Sequence, residues 1–157
     1  MVSSPDMIGK VYRIILKRMV ETGQAPHYAE IAAEAGVPVE EGRKALHDLI
    51  DAKIPAMWLY PETDYICSFA PFNNLPTQYR ISVDGLQKWF GQCGFESLAV
   101  CWLYPGKVVR IDAPCLDCGE PLCVEIKDGV VLKEDPKGIM GYVSVPFSTW
   151  FQRFPYA

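Results

Sequence analysis

The sequence predicts an α+β protein, a helical N-terminal lobe followed by a β-rich one. Three observations predict it. Apolar side chains recur at helical spacing up to about residue 52, they alternate with polar ones from Tyr79 onward, and a Pro/Asn-rich run at 70–77 separates the two regimes. The predicted division is a three-helix, winged-helix-like lobe over 1–70 and a mostly antiparallel or mixed sheet lobe with short helices over 71–157. At 157 residues, with 50% hydrophobic and 22% charged side chains, the chain can bury a core and is not expected to be disordered.

In the first lobe, Met7, Ile8, Val11, Ile14, Ile15 and Met19 form one apolar face, with Lys10, Arg13, Lys17 and Arg18 largely between them. Gly23 is the stop signal. An Ala-rich helix over 28–35 ends at Gly36, and a third helix over about 39–52 is built on Ala45, Leu46, Leu49 and Ile50. Helix, glycine turn, helix is a helix-turn-helix pattern, and 56–60 with 65–69 reads as a hairpin in the position of a wing.

The second lobe begins with a strand at 79–83 and an Asp84-Gly85 turn, after which Gln87 to Cys93 pairs back. A short helix is expected over 96–103 and an alternating strand over 107–112. A hairpin follows over 122–126 and 130–132, then a last strand over 142–145. The aromatic tail at 146–157 reads as a buried terminal element or a chain cut short of its natural end.

Composition narrows the function. A net charge of −4 argues against nucleic acid, and the third helix sets Glu40, Glu41, Asp48 and Asp51 against Arg43 and Lys44, which disfavours phosphate contact. A winged-helix DNA-binding regulator is therefore the third reading. No apolar run reaches the roughly 20 residues that span a membrane, and residues 1–10 lack a signal-peptide pattern. The expected compartment is the cytoplasm, where thiols stay reduced and six cysteines suggest metal or nucleophile chemistry.

Two groups carry that chemistry. Cys93 and Glu96 stand as C-x-x-E, which puts both on one side of a first helical turn. A thiol there is expected to gain thiolate character, and a part-buried carboxyl beside it can hold and deliver a proton. Cys115 and Cys118 form C-x-x-C-G, with Cys123 beyond, a knuckle that would take zinc, copper or Hg(II). Structural zinc takes four ligands, so Cys93 or Cys101 would have to join through the fold. His27 and His47 are read as surface residues.

The order and spacing of Asn74-Leu75-Pro76-Thr77-Gln78-Tyr79-Arg80, Asp84-Gly85, Trp89, Cys93-Gly94-Phe95-Glu96, Ala113-Pro114-Cys115 and Gly119-Glu120-Pro121 resemble the alkylmercury (organomercurial) lyase family. The resemblance implies protonolysis of a carbon–mercury bond, in which cysteine thiolates capture the metal and a carboxyl protonates the departing carbon. It implies an organomercurial substrate, small-molecule thiols as acceptors of Hg(II), and no further cofactor. By position Cys93 would be the capturing thiolate, Glu96 would stand where the family has Asp, and Cys115 would match a structural cysteine. There are two departures. Glu96 is one methylene longer than Asp, and no cysteine follows Cys123 where the family has its other catalytic thiol. Three alternatives stay open: a shortened chain; substitution by Cys118, Cys123 or Cys101; or a non-catalytic soft-metal or zinc-binding thiol protein on the same fold.

Overall fold

Eight strands, every neighbouring pair antiparallel, form one sheet in the order β1-β2-β3-β5-β4-β6-β7-β8, and three helices precede them in the chain. The computed structural model describes residues 2–52, 56–143, 146 and 149. Helix α1 is Pro5–Thr22, α2 is Tyr28–Ala35 and α3 is Val39–Asp51. The strands are β1 Met57–Leu59, β2 Ile66–Phe69, β3 Phe72–Asn73, β4 Arg80–Val83, β5 Leu86–Gly91, β6 Val109–Pro114, β7 Pro121–Lys127 and β8 Val130–Asp135. Between β5 and β6 lie α4, Gly94–Ala99, and a 3-10 turn over Val100–Leu103.

The helix ends follow from local chemistry. Ser4 accepts the N–H of Met7 to start α1, and Gly23, at φ 76°, returns its N–H to Met19 O to stop it. His27, read from the sequence as a plain surface residue, instead caps α2: its ring accepts from Ala29 N while Glu30 reaches back to its backbone N–H. The hairpins turn at Asp84-Gly85 and Asp128-Gly129, where all four residues have positive φ. That is the type I′ requirement, met by Asp then Gly.

One continuous core joins helices and sheet. Val11, Ile15 and Met19 of α1, Ile31, Leu46 and Leu49 of the next two helices, and Phe69, Phe72, Ile81 and Val109 of the sheet are all essentially inaccessible. Polar contacts fix the end of α1 against β5. Trp89 Nε1 donates to Met19 O (2.9 Å) and Val20 O (3.1 Å), Tyr104 Oη to Val20 O (2.8 Å), and Lys88 Nζ to Glu21 O (3.1 Å). Met19 O also takes the Gly23 N–H, whereas the Val20 and Glu21 carbonyls belong to the last helical turn, where intrahelical donors run out, and Trp89, Tyr104 and Lys88 supply them.

Three expectations change. The connector at 70–77 contains β3, which pairs with both β2 and β5 and carries the sheet across it. The helix expected over 96–103 starts at Gly94 and tightens to 3-10 at Val100. Tyr142 and Val143 lie in no strand, while 144–145 and most of the tail at 146–157 fall outside the described residues. None of the described helices is long and apolar enough to cross a membrane.

Candidate active site

The end of β5 sets the site. Gly91 N–H donates to Tyr79 O at 2.9 Å, and Thr77 Oγ1 donates to Gly91 O at 2.8 Å. Gln92 is held by its N–H on Pro71 O (3.0 Å) and by its side-chain amide on Ser68 Oγ (2.6 Å) and Ala56 O (3.2 Å). The chain therefore reaches Cys93 with its direction fixed. Cys93 is the cap of α4, in extended conformation, and its sulfur accepts the N–H of Glu96 at 3.4 Å. Its carbonyl takes both the N–H (3.0 Å) and the hydroxyl (2.6 Å) of Ser97, a fully buried residue.

Gly91 is obligatory here. A Cβ on it would lie 1.8 Å from Ser97 Oγ, so only glycine lets α4 sit against the strand end. Gly94 faces the Tyr79 ring, whose nearest atom would lie 3.4 Å from an added Cβ. Thr77 and Tyr79 of the Leu-Pro-Thr-Gln-Tyr-Arg motif are thus supports of the cysteine turn, a role that sequence reading did not assign. The signal was there in the glycine two residues before Cys93.

The thiol and carboxyl are neighbours. Cys93 and Glu96 are both half-buried, and the Glu96 carboxyl lies near enough to the thiol for each to affect the other's ionisation. Burial pushes the Cys93 thiol up to about 11, and the Glu96 charge adds to that, while the N–H of Glu96 only partly opposes it. Burial also raises the Glu96 carboxyl, against the lowering effect of the neighbouring Cys93 thiol. This corrects the expected thiolate: α4 has six residues, and its macrodipole does not outweigh desolvation. At rest the thiol keeps its proton, and the Glu96 carboxyl, extra methylene included, stays within electrostatic reach of it.

The cysteine knuckle is smaller than expected. Cys115 and Cys118 stand in the one β6–β7 turn, where the backbone N–H groups of Cys118 and Asp117, and then the Cys118 thiol, favour the Cys115 thiolate. These hold the half-exposed Cys115 thiol below the usual thiol range. Cys123 lies inside β7 opposite Asp112 and Asp135, buried, its thiol pushed up by desolvation. It is two residues beyond the Pro114–Pro121 pair that closes the ladder, about 7 Å into the sheet. Cys101 belongs to the core. Among the described residues no three His, Cys, Asp or Glu side chains are gathered to hold a metal ion, so the set Cys93, Cys115, Cys118 and Cys123 is not one cluster.

The class that fold and site define is an α+β protein with a half-buried cysteine at the cap of a short helix and a carboxyl three residues on. The alkylmercury lyase (MerB) family model matches residues 72–154, more than half of the chain, and the chain belongs to that family. It is 25% identical over 131 residues to an alkylmercury lyase of Bacillus cereus, covering 83% of this chain and 56% of that one. It is 26% identical over 136 residues to one of Staphylococcus epidermidis, covering 87% and 58%. The chain thus spans little more than half the length of these relatives. The crystal structure of the mercury-bound form of MerB2 shares the fold, with a TM-score of 0.63 at 18% identity over 85% of this chain and 62% of that one.

Proposed function

We propose that this chain breaks carbon–mercury bonds by protonolysis, with Cys93 as the metal-capturing sulfur and Glu96 as the proton carrier. The placement of Cys93 as the cap of α4, its sulfur taking the N–H of the residue that carries the half-buried carboxyl, carries this reading, and the relatives' activity supports the reaction class. In the presence of thiols an organomercurial travels as R–Hg–SR′, so it arrives with one sulfur in place. As Cys93 sulfur bonds to mercury, its proton passes to the Glu96 carboxylate, leaving an anionic R–Hg(SR′)(S–Cys93) beside a carboxylic acid. Glu96 then protonates the carbon, the C–Hg bond breaks, and RH leaves R′S–Hg–S–Cys93 with Glu96 again a carboxylate. Proton and charge balance with no other reagent. A further thiol releases Hg(SR′)₂ and returns a proton to Cys93.

The raised pKa values suit these roles. A thiol that stays protonated until the metal displaces its proton brings that proton to the site, and a carboxyl with a raised pKa holds it close to working pH. Among the described residues no metal-holding group of three His, Cys, Asp or Glu side chains forms around Cys93, and in this scheme the small-molecule thiol supplies the other sulfur. The test is benzene release from phenylmercury in excess thiol. Wild type should release it, Cys93→Ser should not, and the rate should rise with thiol concentration. Absence of benzene from wild type would remove the lyase reading.

A further inference from the structure

The turn between β6 and β7 presents two sulfurs on a rigid frame that the Cys93 chemistry does not use. Cys115 N–H donates to Glu120 O at 2.7 Å and Gly119 N–H to Cys115 O at 2.9 Å, with Gly119 at φ 77°. These two bonds fold residues 115–120 into a closed loop beyond the last ladder pair, Pro114–Pro121. Cys115 is half-exposed, Cys118 is exposed, both are free thiols, and the Gly119 N–H bond to Cys115 O closes one turn of chain that contains the two of them. Leu116 between them is 74% exposed, so nothing in the described structure covers the turn.

We propose that Cys115 and Cys118 form a two-sulfur site for a thiophilic cation of low coordination number, Hg(II) or Cu(I). The ligand count decides the metal. Structural zinc is held by four ligands in a tetrahedron, and the described residues gather no third His, Cys, Asp or Glu around this pair. Soft d10 cations such as Hg(II) and Cu(I) are satisfied by two sulfurs in line, and thiolates select soft metals. In binding Hg(II), each S–H is replaced by an S–Hg bond and two protons leave to solvent. Placing the sulfurs in line requires Cys118 to swing outward, which its exposure allows.

The sheet register puts this pair on the same rim as Cys93. Arg80 is level with Phe90 on one side and with Asp112 on the other, and β5 and β6 run in the same direction because each is antiparallel to β4. Cys93 and Cys115 each follow that row by three residues, leaving the same end of the sheet two strands apart, about 10 Å across. An ion released from Cys93 would meet this pair among the first protein thiols on that rim. That use rests on the lyase reading; the site itself does not.

The experiment is therefore done without Cys93. Reduced Cys93→Ser protein is loaded anaerobically with Hg(II), dialysed against excess glutathione, and the retained mercury is counted. One Hg(II) per chain should survive, because a chelating pair outcompetes single thiols, and Cys93→Ser/Cys118→Ser should retain at least tenfold less. Cys118 is exposed, so that variant should keep the wild-type circular dichroism. Equal retention in the two variants, or none in either, overturns the proposal. So does Zn(II) retained under the same competition at one per chain and lost with Cys118, since that would require the tetrahedral set the geometry lacks.

Discussion

Ser97 Oγ stands 1.8 Å from where a Cβ on residue 91 would be, so Gly91 and Ser97 share space for one side chain. The cap that presents Cys93 depends on that economy, because the same hydroxyl holds Cys93 O at 2.6 Å. Gly91→Ala should push α4 off the strand end and cost about 1–3 kcal/mol, the usual range for overpacking, read as a lower urea midpoint at unchanged slope. Adding Ser97→Ala removes the Oγ but leaves the Ser97 Cβ at 3.0 Å, so the double variant should recover only part of the loss. A double variant no more stable than Gly91→Ala would mean that the clash lies elsewhere.

Gly94, three residues on, should behave in the opposite way. An added Cβ meets the Tyr79 ring at 3.4–3.6 Å, ordinary contact, and the residue is the first of α4. Alanine is the better helix former by up to about 1 kcal/mol. Gly94→Ala should therefore match or slightly exceed wild type in thermal midpoint and keep the Cys93 alkylation rate. A drop comparable to that of Gly91→Ala would show that this glycine is needed for reasons other than space.

What the sequence made legible was local. The periodicity of Val11, Ile15 and Met19, the glycine stops at Gly23 and Gly36, and the Asp-Gly hairpin turns each fix an element within a few residues, because their causes lie in neighbouring side chains. The C-x-x-E spacing is local in the same way, since it sets Cys93 as the cap of α4 with the Glu96 N–H on its sulfur. What stayed hidden depends on distant residues. A two-residue strand such as Phe72–Asn73 has no period to read, and the Trp89 bond to the α1 carbonyls spans 70 positions. The sign of the Cys93 shift follows from burial by the whole fold, which no spacing reports. Cys123 looked like a knuckle ligand because its distance along the chain was short, whereas the β7 register carries it into the sheet.

Asp48 anchors the start of the chain to α3. It accepts from Ser3 N at 2.7 Å and pairs with Lys44, and with Lys44 the first cause its carboxyl drops from 3.8 to about 2. A lowered carboxyl contributes stability that is present above its unfolded value and lost as pH falls through the folded one. The loss should thus fall between about pH 4 and pH 2. Asp48→Asn should flatten the acid limb of stability against pH in that window and leave the slope above pH 5 unchanged. Equilibrium urea titrations at stepped pH will check it, and an acid limb identical to wild type would leave the pair without a stabilising role.

The reactive pair makes a prediction in the alkaline range. Because burial is the largest cause of the raised Cys93 thiol, and the neighbouring Glu96 charge adds to it, the rate of Cys93 alkylation by iodoacetamide should climb with pH toward a midpoint of about 11. Glu96→Gln removes the charge and leaves the burial. Its midpoint should therefore move down yet stay above 9.0, the ordinary value for the thiol. Peptide-resolved mass spectrometry separates Cys93 from the other five cysteines. Linkage carries the same sign: a raised thiol adds stability that is complete below about pH 9 and lost as pH rises toward 11, and Cys93→Ser should lack that decline. Catalysis should respond in the opposite sense to reactivity. Glu96→Gln makes the thiolate easier to form but cannot carry its proton to carbon, so benzene release should fall by about 10²–10⁴-fold, the usual worth of a general acid. A variant that alkylates faster and also turns over faster would show that forming the thiolate, rather than delivering the proton, limits the reaction, and Glu96 would lose its assigned role.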